Sequence, residues 1–131
     1  MLFFVFVFMK KISISIYLFL ISFQLVWSQE YNPVANEKAI VINGKARFTV
    51  LTDGLIRIEF SNDSVFCNHS SLTFVNRNLP VPPFQTRHEN GKLIITTSLL
   101  TLSYFENSGA FTSKNLSIEY KDASRSFSWK P

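Results

Sequence analysis

The stretch Gly44–Phe84, GKARFTVLTDGLIRIEFSNDSVFCNHSSLTFVNRNLPVPPF, decides the fold. Within Leu55–Phe60, Ile56, Ile58 and Phe60 fall on one side of the backbone and Arg57 and Glu59 on the other, the period-two pattern of a half-buried strand. Phe48 and Val50 repeat it in Arg47–Leu51. Between the two lies Thr52-Asp53-Gly54, a turn signal whose glycine tolerates backbone angles that side chains resist. Two alternating runs on either side of such a turn predict a β-hairpin.

The same grammar continues outward. Each of the four glycines follows a turn-forming residue, as Asn43-Gly44, Asp53-Gly54, Asn90-Gly91 and Ser108-Gly109. Ala39–Ile42, Arg47–Leu51, Leu55–Phe60, Leu72–Val75, Lys92–Thr97, Leu99–Phe105 and Asn115–Tyr120 have strand composition, and Leu100, Leu102 and Tyr104, then Leu116, Ile118 and Tyr120, alternate with polar residues. No stretch after residue 28 supports a helix of three turns. Pro80-Val81-Pro82-Pro83 removes the donors a central strand needs and reads as an extended segment carrying the chain from one sheet to the other. Seven short strands with turns between them predict an all-β chain, an antiparallel β-sandwich or part of one.

At the N-terminus Lys10-Lys11 precedes an apolar run from Ile12 to Val26, with small residues near Ser28, the layout of a signal peptide cleaved before Gln29. The run is shorter than the roughly 20 apolar residues of a spanning helix, so a cleaved signal is expected rather than a stable membrane anchor. Met9 is the start that fits this layout, with residues 1–8 as an upstream extension. The expected organisation is a signal-peptide helix over 1–28 and a partial β-sandwich over 29–131, in a protein exported to a periplasmic or extracellular location.

Removing the signal changes the composition. Six of the fourteen phenylalanines and two of the thirteen basic residues lie before Gln29, leaving eleven basic and nine acidic side chains, a net charge of +2. Those basic residues are scattered singly, which argues against nucleic acid as a partner. Cys67 is the one cysteine, so no intramolecular disulfide is available, and it reads as a small, partly buried hydrophobe. His69 reads as loop and His88 as a solvated hairpin shoulder. Two histidines without a spaced carboxylate or cysteine set make no metal site, and no cofactor is indicated. Asp53 has a turn to serve, Glu59 lies beside Arg57 opposite the apolar face, and the remaining acids fall mainly at strand ends or turns, so no catalytic pair is assigned.

The order of these elements resembles the N-terminal, galactose-mutarotase-like β-sandwich of glycoside hydrolase family 31, the retaining α-glucosidases and α-xylosidases. The residues that carry the resemblance are the strand Ala46–Leu51, the turn Thr52-Asp53-Gly54, the strand Leu55–Ser61, then Leu72–Arg77 leading into Pro80-Val81-Pro82, the paired strands of Leu93–Tyr104 and the closing Trp129-Lys130-Pro131. Such enzymes place an aspartate nucleophile and an aspartate acid/base on a (β/α)8 barrel, with the carboxyls about 5 to 5.5 Å apart for retention. A barrel takes roughly 250 residues, so the resemblance implies that the catalytic part lies beyond Pro131 and that this chain is not active by itself. It also implies carbohydrate as the parent enzyme's substrate and the barrel as an intramolecular partner.

Asn76, Arg77 and Asn78 form the polar cluster singled out for substrate binding, since a guanidinium between two amides can hydrogen-bond sugar hydroxyls and the family's N-terminal domain sends a loop toward the barrel mouth. The competing reading pairs Arg77 with a carboxylate and uses the asparagines to cap the turn before Pro80. A freestanding secreted carbohydrate-binding or protein-interaction β-module is the alternative function.

Overall fold

The structure, a computed structural model, describes residues 31–121 and 123–131. The expected signal segment lies outside the described residues. Among the described residues, eight strands form two antiparallel sheets: β1 (Ile40–Asn43), β2 (Ala46–Thr52) and β3 (Leu55–Phe60) in the first, and β4 (Gln85–Glu89), β5 (Lys92–Thr96), β6 (Leu100–Phe105), β7 (Leu116–Lys121) and β8 (Ser126–Trp129) in the second. Strands are neighbours in chain order within each sheet. The segment holding Pro80–Pro83 joins β3 of one sheet to β4 of the other and contains no strand. The one helical turn among the described residues is a 3-10 turn, Glu37–Ala39, in which the Lys38 N–H donates to the Asn36 side chain and the Ala39 N–H to the Asn36 carbonyl.

Alternation places the core between the sheets. Ala46, Phe48 and Val50 of β2 meet Leu93 and Ile95 of β5, Leu102 and Tyr104 of β6 and Leu116 of β7, all buried, with Ile56, Ile58 and Phe60 of β3 packed against them. Phe111, from the β6–β7 loop, inserts among Phe48, Phe60 and Tyr104, with tilted or edge-on rings 5.4–6.2 Å apart. These offsets set the positive edge of one ring toward the negative face of another. The all-β, two-sheet architecture read from the sequence is thus present.

The β2–β3 hairpin keeps its faces in phase by one irregularity. Thr52 pairs with Leu55, whereas Val50 pairs with Ile56 and Arg47 with Glu59, so the register shifts at Leu51. Without that extra residue Phe48 would stand opposite Glu59 and Val50 opposite Arg57, putting charge on the core face. A one-residue slip exchanges the two faces of a strand, and a β-bulge is the local means of correcting it.

Three expectations are corrected. Leu72–Val75 is not a strand; it lies in the long coil after β3, where Leu72 is fully exposed and Phe74 and Val75 substantially so. Its strand-like composition finds no edge to pair with. Gly54 does not adopt a positive φ, whereas Gly44, Gly91 and Gly109 do. Cys67 is exposed rather than partly buried. Conversely, β4 and β8 were not anticipated. Gln85–Glu89 is polar and exposed throughout, and it becomes a strand because Asn90 and Gly91, at φ of 52° and 71°, fold it onto β5.

Candidate functional site

Alternation also decides what covers the outside of the first sheet. With Phe48 and Val50 turned inward, Arg47 and Thr49 of β2 project outward together with Arg57 and Glu59 of β3, and the pairings set Arg47 opposite Glu59 and Thr49 opposite Arg57. Arg47 and Thr49 are nonetheless buried. The coil between Ser61 and Phe84 is held over them by the arginines themselves.

Arg47 spends every nitrogen of its guanidinium. Nε donates to Glu59 Oε2 at 2.7 Å, Nη1 to Asn68 Oδ1 at 2.8 Å and Nη2 to the Cys67 carbonyl at 2.9 Å, and the guanidinium carbon lies 4.8 Å from the Phe66 ring centre. A planar donor fork suits such simultaneous anchoring, which a lysine ammonium does not reproduce. Arg57 Nη2 is ion-paired with Glu59 Oε1 at 2.6 Å and donates to the same Cys67 carbonyl at 3.1 Å. Both oxygens of Glu59 are therefore committed, one to each arginine.

Arg77 lies on the same covering coil and is buried. Its Nη1 donates to the His69 carbonyl at 2.7 Å and the Pro33 carbonyl at 3.2 Å, and its backbone N–H to the Asn32 carbonyl at 2.7 Å. Asn76 Oδ1 accepts from the N–H groups of Asn78, at 3.2 Å, and Asn32, at 3.4 Å. Asn78 is exposed and its N–H also reaches the Asn32 carbonyl at 3.2 Å. The three residues named from the sequence thus come together as a clasp between the start of the described chain and the coil. The asparagine turn is present, but Arg77 takes main-chain carbonyls rather than a carboxylate, and its buried Nε has no protein acceptor.

The electrostatics follow from this packing. Burial holds the Arg57 guanidinium below its ordinary pKa, opposed by Glu59 and reinforced by the like charges of Arg77 and Arg47. Two guanidiniums, those of Arg47 and Arg57, therefore share the Glu59 carboxylate. The sequence reading placed Glu59 beside Arg57 and missed Arg47; the period-two alternation, carried through a register that keeps like faces together, is the signal that pairs them.

Two further surfaces are built by the fold. At one end of the sandwich, a cleft of about 760 Å³ is lined by Gly44, Lys45, Phe60, Asn62, Ser64 and Asn107 among others. Gly44, Ser64, Asn107 and Gly109 in this lining all have positive φ, so three separate loops turn sharply around one opening. Along the free edge of the first sheet, a trough of about 450 Å³ runs between Leu55 and Ile56 of β3 and Ile118, Tyr120, Phe127 and Trp129 of β7 and β8. The rings of Tyr120 and Phe127 stack at 4.9 Å, and Phe127 and Trp129 remain exposed. The second sheet is two strands wider than the first, which leaves this inner face uncovered.

His88, on β4, is exposed and its Nδ1 is hydrogen-bonded to Glu106. No group of three or more His, Cys, Asp or Glu side chains placed to hold a metal ion occurs among the described residues. No helix among them is long and apolar enough to cross a membrane. No family model matches the chain, and no curated protein matches it.

Proposed function

We propose that the chain is the non-catalytic N-terminal β-sandwich portion of an exported family 31 α-glycosidase, a scaffold against which the carbohydrate-hydrolysing barrel packs. The observation that carries this reading is the aromatic trough of Tyr120, Phe127 and Trp129 beside the edge strand β3, a contiguous apolar surface of the kind that marks contact with another protein surface. The clasped carboxylate Glu59 also supports a structural rather than catalytic role, since both its oxygens hold arginines.

The test is the coding sequence past Pro131 together with the assay of its product. An uninterrupted frame for a barrel with two aspartates placed for retention, and α-glycosidase activity that Phe127→Ser and Trp129→Ser weaken through loss of folded enzyme, are expected. A stop followed by an unrelated gene overturns the reading.

A freestanding carbohydrate-binding module is the second reading, favoured by the end cleft, where Asn62, Asn107, Ser64 and Lys45 surround Phe60. Amides pair with adjacent sugar hydroxyls while an aromatic ring meets the sugar's C–H face. Saturable binding of an α-glucan oligosaccharide by the purified chain, lost in Asn107→Ala, would select this reading over the scaffold.

A further inference from the structure

We propose that the outer face of the second sheet carries a binding site for a compact tetrahedral oxyanion, a phosphate or sulfate group, held by Lys92, Lys114 and Lys130 with the hydroxyls of Ser103, Ser113 and Ser117. These six residues line one pocket of about 150 Å³. The strand register brings them there. Leu93 of β5, Leu102 and Tyr104 of β6 and Leu116 of β7 are turned into the core, so alternation turns Lys92, Ser103 and Ser117 to the opposite face. Ser103 stands opposite Ser117 in the β6–β7 ladder, and Ile118 opposite Trp129 in the next, which sets Lys130 beside Ser117. Lys92 stands opposite Phe105, two residues along β6 from Ser103. Ser113 and Lys114 enter from the β6–β7 loop on a turn that the buried Asn115 fixes: its Oδ1 accepts from the Thr112 N–H at 2.7 Å and its Nδ2 donates to the Ala110 carbonyl at 2.9 Å. The turn is therefore in place before a ligand arrives, which lowers the entropy lost on binding.

Charge and shape together name the ligand. Among the described residues the pocket lining contains no carboxylate. The ion pairs among those residues are Arg47–Glu59, Arg57–Glu59 and His88–Glu106, so none takes a lysine of this face. The nearest acids in the ladders are Glu89, opposite Lys92, and Glu119, two residues from Ser117. Lys92 does not turn to Glu89; its Nζ lies 4.6 Å from the centre of the Phe105 ring, on the pocket wall. The negative face of the ring attracts the ammonium and so keeps one charge at the pocket. Three like charges gathered without an opposite one repel, and an anion among them turns that repulsion into attraction. An ammonium is a compact charge with rotatable donors and a hydroxyl proton also rotates, so the set suits an anion that accepts from several directions rather than a planar one. The volume matches a phosphate or sulfate group, not a whole sugar ring or nucleobase. The site is on the face opposite the aromatic trough, so it stands whether or not a barrel covers Tyr120 and Phe127.

The probes are sodium phosphate, sodium sulfate and phenyl phosphate, each compared with sodium chloride at equal ionic strength and pH, with the purified full chain. The expected result is a saturable shift of the Ser103, Lys114 and Ser117 backbone amide resonances in proton–nitrogen spectra that chloride does not produce. Phenyl phosphate binding as tightly as inorganic phosphate assigns a terminal phosphate group on a larger molecule, and binding of the inorganic ions alone assigns the free ion; either supports the site. The triple variant Lys92→Gln, Lys114→Gln, Lys130→Gln should weaken binding at least about tenfold, as loss of charge-assisted contacts implies. Lys38→Gln, in the turn before β1 of the first sheet, should leave it unchanged. If the triple variant does not fold, the wild-type resonances decide. Shifts no larger in any probe than in chloride overturn the proposal, as do undiminished binding in the triple variant and equal weakening by Lys38→Gln, which would mean that net charge alone is sensed.

Discussion

Arg47 and Glu59 face each other across the β2–β3 pairing, and Arg47 Nε donates to Glu59 Oε2 at 2.7 Å with both side chains largely withdrawn from solvent. The contact holds more than two strands together. Through Asn68 and the Cys67 carbonyl, the same guanidinium fastens a long coil that has little regular structure of its own. Removing Glu59 would leave two arginines packed beside each other, so Glu59→Ala is expected to destabilise the fold by about 3 kcal/mol, the scale for breaking a buried ion pair from one side. Urea denaturation followed by tryptophan fluorescence and circular dichroism measures this, and a change under 1 kcal/mol would show that the pair is only a surface ornament of the sheet.

Gly44 and Gly54 separate two uses of glycine. Gly44 has φ of 57°, and a Cβ there would come within 3.0 Å of Asn107 Oδ1; Gly54 has no positive φ, and its Cβ would meet Leu99 Cδ1 at an ordinary 3.6 Å. Gly44→Ala should cost about 1–2 kcal/mol from the left-handed backbone alone, whereas Gly54→Ala should be neutral or stabilise by up to about 1 kcal/mol by restricting the unfolded chain. Paired melting curves decide, and equal effects at the two positions would contradict the turn geometry.

Tyr104 is buried in the ring cluster and its hydroxyl donates to the Gly109 carbonyl at 2.8 Å. Tyr104→Phe keeps the ring and drops the hydrogen bond, for an expected cost of about 1 kcal/mol. Phe48→Ala, at the centre of the same cluster, should cost about 3–5 kcal/mol. The ordering of the two, read from denaturant midpoints, tests whether ring packing or the hydroxyl dominates.

Asp63 is held below the ordinary carboxylate range, chiefly by the Ser61 hydroxyl, which donates to Oδ1, and then by the Val65 N–H. A depressed folded pKa means that the contribution to stability is present above the unfolded value, about 3.9, and is lost as pH falls through the folded one. Ser61→Ala should therefore move the Asp63 titration upward in carboxyl-carbon NMR. An unchanged titration would mean that the hydroxyl contributes nothing to the ionised form.

Phe127 and Trp129 stand in the open trough on an edge strand, where uncovered apolar side chains and unpaired backbone groups invite association. Residues 29–131 expressed alone should be poorly soluble or self-associating, and Phe127→Ser with Trp129→Ser should shift the population toward monomer in light scattering. A monodisperse wild-type monomer with a sharp, cooperative melt would remove the argument for a covering partner.

Much of the sandwich was legible because alternation and turn chemistry are local. Arg47–Leu51 and Leu55–Phe60 each carry their own two-faced pattern, and Asp53-Gly54 marks the reversal between them; even the bulge at Leu51 is implied by the demand that Phe48 and Ile58 share a face. Leu72–Val75 shows the limit of that logic. Its side chains suit a strand, yet a strand exists only where another offers its hydrogen-bonding edge, and sequence spacing does not say which edges remain. Gln85–Glu89 shows the converse, a polar segment made into β4 by its turn and its neighbour.

Residue chemistry by itself determined which side chains are turned into the core, since period-two spacing acts within a few residues, and it marked Asn76, Arg77 and Asn78 as a polar cluster. Only the tertiary structure decided what that cluster touches: Arg77 is turned onto the Pro33 and His69 carbonyls, and its charge is added to those of Arg47 and Arg57. The physical reason is distance along the chain. Contacts between residues 44 positions apart depend on how a sheet and a coil pack together, and packing is a property of the folded whole.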